Sequence, residues 1–376
     1  MMETHKISVP RLLIKAALLF VTLNLIFSTF NLLPSLGRLT LYNWLLPGRP
    51  RLPYSEDAHR AYSLNLYSLE AMFASHQLSG APKPADEYRV FVLGDSSVWG
   101  FLLENENTLT TALNAAGLHA ADGRRVVFYN LGHPTISLTK DLMILDFAMD
   151  YDPDLVLWPV TLEAFPKDKQ TSSPQVQNNP ARVRQLIADF DLALDPNHPD
   201  LIHPDFWGRT LIGARRNLAD MLRLQLYGFM WAATGIDTYY PTDYELRAVD
   251  LEASEEFAGL LPPDLPTDAL AFDVMAAGVR RAADVPLLII NEPIFVSDGA
   301  NSEIRYNSMY PRWAYDAYRQ LLRSQVQESG WDYIDLWQAA DSGEFTNTPI
   351  HLTPQGTLQF AEAILATLND FYHLQP

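Results

Sequence analysis

The sequence predicts an α/β fold: a parallel five-stranded sheet covered by helices on both faces, with a helical insertion and an N-terminal transmembrane helix. Three observations predict it. From Tyr88 onward, short apolar segments alternate with longer segments of helical spacing. The short segments are continuously apolar, as strands buried on both faces must be. Near the N-terminus, Ala16 to Leu33 runs without a charge.

Eighteen helical residues reach about 27 Å, close to a hydrocarbon core of about 30 Å. Lys15 can snorkel to the interface, so the span extends back towards Leu12. No small-residue cleavage pattern follows, which favours a retained anchor over a signal peptide. Residues 1–35 are therefore expected to form a single-pass anchor, with the catalytic domain expected on the extracytoplasmic side. Arginines lie on both sides of the span, so charge gives little contrast in orientation. Residues 36–87 form a juxtamembrane segment rich in Pro, Tyr and Arg. A helix is expected from Tyr62 to Gln77, with the globular part starting near Tyr54.

In the main domain, 88–376, Arg89–Leu93 is the first strand and Asn107–Ala116 a helix. Arg125–Leu131 is the second strand and Ser137–Asp150 the next helix. Asp154–Trp158 follows as the third strand, Val285–Asn291 as the fourth and Trp331–Leu336 as the fifth. Helices are expected at Pro311–Ser329 and Thr353–Phe371, the latter opened by Pro354 in its first turn. The insertion, 166–284, is about 120 residues long, far more than an ordinary loop. Helical spacing there covers Arg182–Leu194 and Arg209–Ala233, and more weakly Asp243–Gly259 and Asp268–Ala283. Its place after a strand suits a lid over the site; a surface for an oligomer or a membrane partner is the other reading.

Composition excludes several functions. The net charge of −18 leaves no basic stripe for nucleic acid. With no cysteine, there is no disulfide, thiolate metal site or cysteine nucleophile. His198 and His203 fit no zinc spacing, so no metal is expected. Neither a P-loop nor a dinucleotide fingerprint occurs, and no cofactor is expected.

Two positions carry chemistry. Gly94-Asp95-Ser96-Ser97 ends the first strand at the carboxyl edge of the sheet, where open α/β folds place their sites. His351 lies just before the last helix, after the fifth strand, so both open on the same edge. A serine needs a base to take its proton, and neutral imidazole suits that near pH 7.

With these residues the chain resembles the SGNH (GDSL-type) hydrolase family over roughly Tyr88–Asp370, apart from the insertion. The resemblance implies a flavodoxin-like, doubly wound parallel sheet and makes Ser96 the nucleophile and His351 its base. Asn130-Leu-Gly132-His-Pro-Thr135 matches the second block, with Thr135 in place of the donor glycine. Pro153 to Glu163 matches the third, with Glu163 where the family has asparagine. Thr348 stands where the family's aspartate orients the histidine. Gly132, Thr135 and Glu163 are thus the oxyanion or substrate candidates, and Asn347, Asp335 and Glu292 the candidates to orient His351. The implied function is hydrolysis of short-chain acyl esters, acetyl among them, on a glycan or lipid. The alternatives are O-acyl transfer to cell-surface glycans by the same nucleophile, or a non-catalytic scaffold that binds glycan or a protein.

Overall fold

The computed structural model describes residues 8–32, 35–36, 39, 41–45, 69–80, 82–234 and 243–376. The expected domain start near Tyr54 lies outside them. So does the first part of the Tyr62–Gln77 helix, whose described end is a short helix at Leu69–Ser75.

Five strands form one sheet: β1 (Glu87–Val92), β2 (Arg125–Asn130), β3 (Leu155–Val160), β4 (Leu287–Asn291) and β5 (Asp332–Asp335). They are hydrogen-bonded in the order β2-β1-β3-β4-β5, and every pair is parallel. This is the doubly wound architecture expected. The order reverses at β1, so the crevice of the fold opens at the carboxyl ends of β1 and β3.

Alternate strand residues feed two cores. Phe91, Val156, Trp158 and Ile289 face one side; Val90, Val92, Leu157 and Ile290 face the other. The helices are α1 (Val9–Phe30), α2 (Leu109–Ala115), α3 (Leu138–Ala148), α4 (Pro180–Phe190), α5 (Arg215–Thr234), α6 (Phe272–Ala282), α7 (Arg312–Ser329) and α8 (Pro354–Tyr372). Helices α3, α6 and α7 cover the first side, α2 and α8 the second.

Strand β3 runs two residues further than expected, through Pro159. Proline cannot donate to a ladder. The pairing of β1 with β3 stops at Leu157, however, so the side on which Pro159 lacks an N–H has no partner strand to serve. On its other side β3 continues to pair with β4, as far as Val160 and Asn291.

Between β3 and β4 the chain leaves the sheet at a narrow neck. The Ala271 N–H donates to the Phe165 carbonyl at 2.8 Å, and Pro166 bridges Leu270. Beyond the neck lie α4 and α5. Residues 243–259 form turns and extended chain instead of the expected weak helix. Their backbone is drawn to other loops: Arg247 N–H donates to Thr346 and Leu251 N–H to Ala300. Helix α6, expected as the insertion's last helix, packs on α3 as part of the sheet's own cover. Gly278 brings α6 close to the sheet, since a Cβ there would lie 2.3 Å from the ring of Trp158 on β3.

Candidate active site

Strand β1 ends at Val92, and two residues on Gly94 turns the chain with φ of 141°. A side chain there would be strained and would also meet Val98 at 2.6 Å. Asp95 caps the short helical turn that follows, its carboxylate accepting the Ser97 N–H at 2.8 Å. Ser96 opens that turn and is half-buried, so its hydroxyl is reachable.

The loop after β5 carries His351 back across the sheet edge. The Phe295 N–H, just beyond β4, donates to Pro349, and Thr346 N–H donates to the His351 carbonyl. The result places His351 Nε2 2.8 Å from Ser96 Oγ. Asn347 Oδ1 accepts from His351 Nδ1 at 2.9 Å. That amide carbonyl fixes the proton on Nδ1 and turns the Nε2 lone pair to the serine. The imidazole stacks on Phe101, with ring centroids 4.5 Å apart. Burial pushes its pKa down from 6.5 to about 3, so it is a neutral base through the physiological range.

Of the other expected residues, Thr348 shapes the turn instead of orienting the ring: its Oγ1 accepts the His351 backbone N–H at 3.2 Å. Asp335 is held elsewhere, by Arg319 at 2.7 Å, Arg323 at 2.6 Å and Asn291 at 2.9 Å. Glu292 does not face His351 either; it accepts from Ser97 Oγ at 2.5 Å. Glu163 is ion-paired with Lys169 just beyond β3.

Gly132 lies behind the Ser96 turn, where a Cβ would come within 2.4 Å of the Trp99 nitrogen. Its own N–H is donated to Asn130 Oδ1 at 3.0 Å, so its part is close packing. Thr135 has φ of 81°, the left-handed region that a β-branched residue rarely enters. Its Oγ1 is hydrogen-bonded to Ser173 at 2.9 Å. Threonine here keeps the backbone shape of the glycine that the motif leads one to expect. Among the described residues, the backbone N–H groups of Ser96 and Thr135 donate to no protein acceptor.

Sequence reasoning missed what lies beneath. Lys140 is fully buried on α3. Its Nζ donates to the Gly94 carbonyl at 2.8 Å and the His133 carbonyl at 2.7 Å. It thus ties the turn that bears Ser96 to the turn that bears Thr135. Asp141 lies 2.9 Å from the same Nζ. Burial raises the pKa of Asp95, Asp141 and Glu292, Glu292 most strongly, where the charge of Asp95 adds to the effect. One ammonium faces three buried carboxyls, and burial together with the Asp95 charge favours the protonated form most strongly at Glu292. The signal was present: Lys140-Asp141 is an adjacent pair of opposite charges in a helical run that is apolar apart from Thr139 and Asp146. Arg247 was also missed. Its guanidinium donates to Phe345 and Ser342 carbonyls, each at 2.5 Å, and braces the loop that carries His351.

Two predictions arise here. Asn347→Ala should slow reaction of Ser96 with a fluorophosphonate by roughly 10²-fold or more, through loss of ring orientation. Asn347→Asp should retain activity and move the acid limb of the pH–rate profile upward, because a carboxylate favours imidazolium. An unchanged profile in Asn347→Asp would remove Asn347 from the orienting role. The second concerns stability. The folded His351, with its pKa near 3, refuses a proton that the unfolded chain accepts below about 6.5. Stability should therefore fall as pH drops from 6.5 towards 3, by about 3 kcal/mol at pH 4.5 from this group. Urea unfolding of wild type and His351→Gln at pH 7 and 4.5 isolates the effect; equal pH dependence in the two would contradict it.

A cavity of about 630 Å³ lies away from this site, along edge strand β2, lined among others by Arg89, Asn114 and Tyr129. None of the Ser96 machinery borders it.

Solved structures similar to this chain include GDSL-type lipases and esterases. One, described as a GDSL-like lipase from Bacteroides ovatus, is 11% identical with a TM-score of 0.35. The match covers 77% of this chain but only 54% of that one, so this chain spans about half its length. A carbohydrate acetylesterase from Sinorhizobium meliloti is 11% identical, covers 76% and 99% of the two chains, and has a TM-score of 0.34. An aryl esterase from M. smegmatis is 10% identical, covers 75% and 98%, and has a TM-score of 0.33. No family model matches the sequence, and no curated protein matches it.

Proposed function

We propose that the protein is a membrane-anchored serine esterase that cleaves short-chain acyl esters. The observation that carries this is the contact of 2.8 Å between Ser96 Oγ and His351 Nε2, with Nδ1 held on Asn347. Ser96 Oγ attacks the ester carbonyl while His351 Nε2 takes its proton. The oxyanion is received by the free N–H groups of Ser96 and Thr135. His351 then gives its proton to the departing alkoxide, leaving an acyl-serine. Water, deprotonated by His351, releases the acid and restores the serine. Phe101 against the imidazole leaves limited room beside it, which supports a small acyl group.

The anchor is α1, the one helix among the described residues long and apolar enough to cross a membrane. Its 22 residues reach about 33 Å. An extracytoplasmic domain would meet acylated glycans or lipids as substrates.

The test is intact-mass measurement of the full chain after a fluorophosphonate, for wild type, Ser96→Ala and His351→Ala. Stoichiometric labelling of wild type and none of Ser96→Ala is expected, with His351→Ala labelled far more slowly. A folded wild type that is not labelled would overturn the reading. Release of a preformed acyl-enzyme by water, set against release by a sugar hydroxyl, then separates hydrolysis from transfer.

A further inference from the structure

From Ala16 on α1 carries no charge, but two polar residues in its second half, Asn24 and Ser28, bear on how the protein sits in a bilayer. Asn24 and Ser28 are four positions apart and share one face with Phe27, and all three are buried. What buries them is the insertion. Ser28 Oγ donates to the Phe206 carbonyl at 2.5 Å, and the Ile212 N–H donates to Asn24 Oδ1 at 3.4 Å. The rest of the helix is bare: Leu12, Leu13, Ile14, Leu18 and Leu19 are each more than half exposed.

Asn24 lies six residues before the end of α1, which is about 9 Å along the axis. Segment 206–212 therefore reaches well below the level at which α1 ends. Its side chains suit that depth. Trp207 is 73% exposed and Ile212 54%, and Phe206 stacks edge-on with Trp207 at 5.5 Å. From Phe206 to Ala219 the chain has no acidic residue and three arginines, Arg209, Arg215 and Arg216. In a chain of net charge −18 this is a local reversal of sign.

We propose that segment 206–216 of the insertion is seated in the lipid bilayer beside α1, with Trp207 and Ile212 among the acyl chains and Arg215 and Arg216 at the headgroups. The inference rests on α1 spanning the membrane. Exposed tryptophan suits the interfacial zone, and arginine near the surface suits anionic headgroups. Of the backbone polar groups that enter with the segment, Asn24 and Ser28 meet the Ile212 N–H and the Phe206 carbonyl, and local turns pair the N–H groups of Arg209, Thr210 and Ala214, in keeping with the demand of a hydrocarbon environment. This seat gives the domain a second attachment and so a fixed tilt on the membrane.

The absence of native cysteine makes the test direct. The full chain would be placed in vesicles of phosphatidylcholine and phosphatidylglycerol, with an NBD label at Leu18→Cys, Trp207→Cys, Ile212→Cys or Leu358→Cys. Leu358 is an exposed position on α8, far from the insertion in sequence. Quenching by doxyl lipids is compared with quenching by aqueous iodide. The expected result is doxyl quenching at 18, 207 and 212, iodide quenching at 358, and at least threefold protection of 207 from iodide relative to 358. Doxyl quenching at 18 with iodide quenching at 207 and 212 would overturn the seat and leave the anchor standing. Loss of doxyl quenching at 18 would overturn the anchor itself. Shielding of 207 and 212 from both quenchers would show that protein, such as a second copy, covers the segment, and would equally overturn the proposal.

Discussion

Ser96→Ala should reduce hydrolysis of p-nitrophenyl acetate by on the order of 10⁴-fold or more, leaving only background. The size follows from what is lost: the alanine has no nucleophile, and nothing beside it substitutes. Ser97 is the nearest hydroxyl, but it faces away, donating to Glu292 at 2.5 Å. Folding should be spared, because the cap of the turn runs through the Ser97 N–H and Asp95, and Ser96 is half-buried. Melting temperature is therefore the control. Ser96→Cys extends the experiment, since its thiol would be the only one in the chain. Its alkylation by iodoacetamide should depend on His351, which activates the sulfur without any oxyanion being formed. Substantial turnover by a folded Ser96→Ala would remove Ser96 from the chemistry.

Lys140→Met should have the next largest effect, and on two quantities. Removing the ammonium leaves three buried carboxyls without their cation, at a cost of roughly 3–5 kcal/mol. It also frees the Gly94 and His133 carbonyls, so the Ser96 and Thr135 turns lose their common tie. Lys140 is a positioning residue, and two reagents test that role, iodoacetamide on the Ser96→Cys protein and a fluorophosphonate on the native serine. Iodoacetamide alkylation needs His351 alone and should hold its rate. Fluorophosphonate reaction at Ser96, which needs both turns in register, should slow by about 10²-fold, the size of one lost oxyanion donor. A fall in both rates together would mean general damage. Glu292→Gln is the counterpart: because burial and the Asp95 charge push Glu292 towards its neutral form, this swap should change stability by less than about 1 kcal/mol at neutral pH. Denaturant midpoints of the two variants should thus lie far apart.

The sheet was legible because its strands are apolar on both faces, and no helix of that length needs such a run. Ser96 and His351 were legible because each stands where a strand ends or a helix begins, which puts both on one edge. Asn347 could be named as a partner for His351 but not chosen over Asp335. Being at a strand end says nothing about Arg319 and Arg323, which come from one face of α7 to claim that carboxylate. Lys140 and Arg247 act through backbone carbonyls of residues distant in sequence or set in loops, and no local spacing encodes such partners. The failed helix at 243–259 has the same cause: the backbone N–H groups of Arg247 and Leu251 pair with loops at residues 346 and 300, not with a helical ladder.

The neck of the insertion has one more consequence. Phe165 and Ala271 are already hydrogen-bonded, so the chain enters and leaves the β3–β4 crossover at nearly one point. Whatever lies beyond is a cassette. It can lengthen, shorten or be replaced without moving a strand out of register, because closing a loop whose ends already touch adds little entropy cost per added residue. The sheet keeps the nucleophile while the cassette varies the surroundings. Arg247 and Ser173 are tethers from inside the cassette, one to the loop of the base and one to Thr135, and an exchanged cassette must supply both anew.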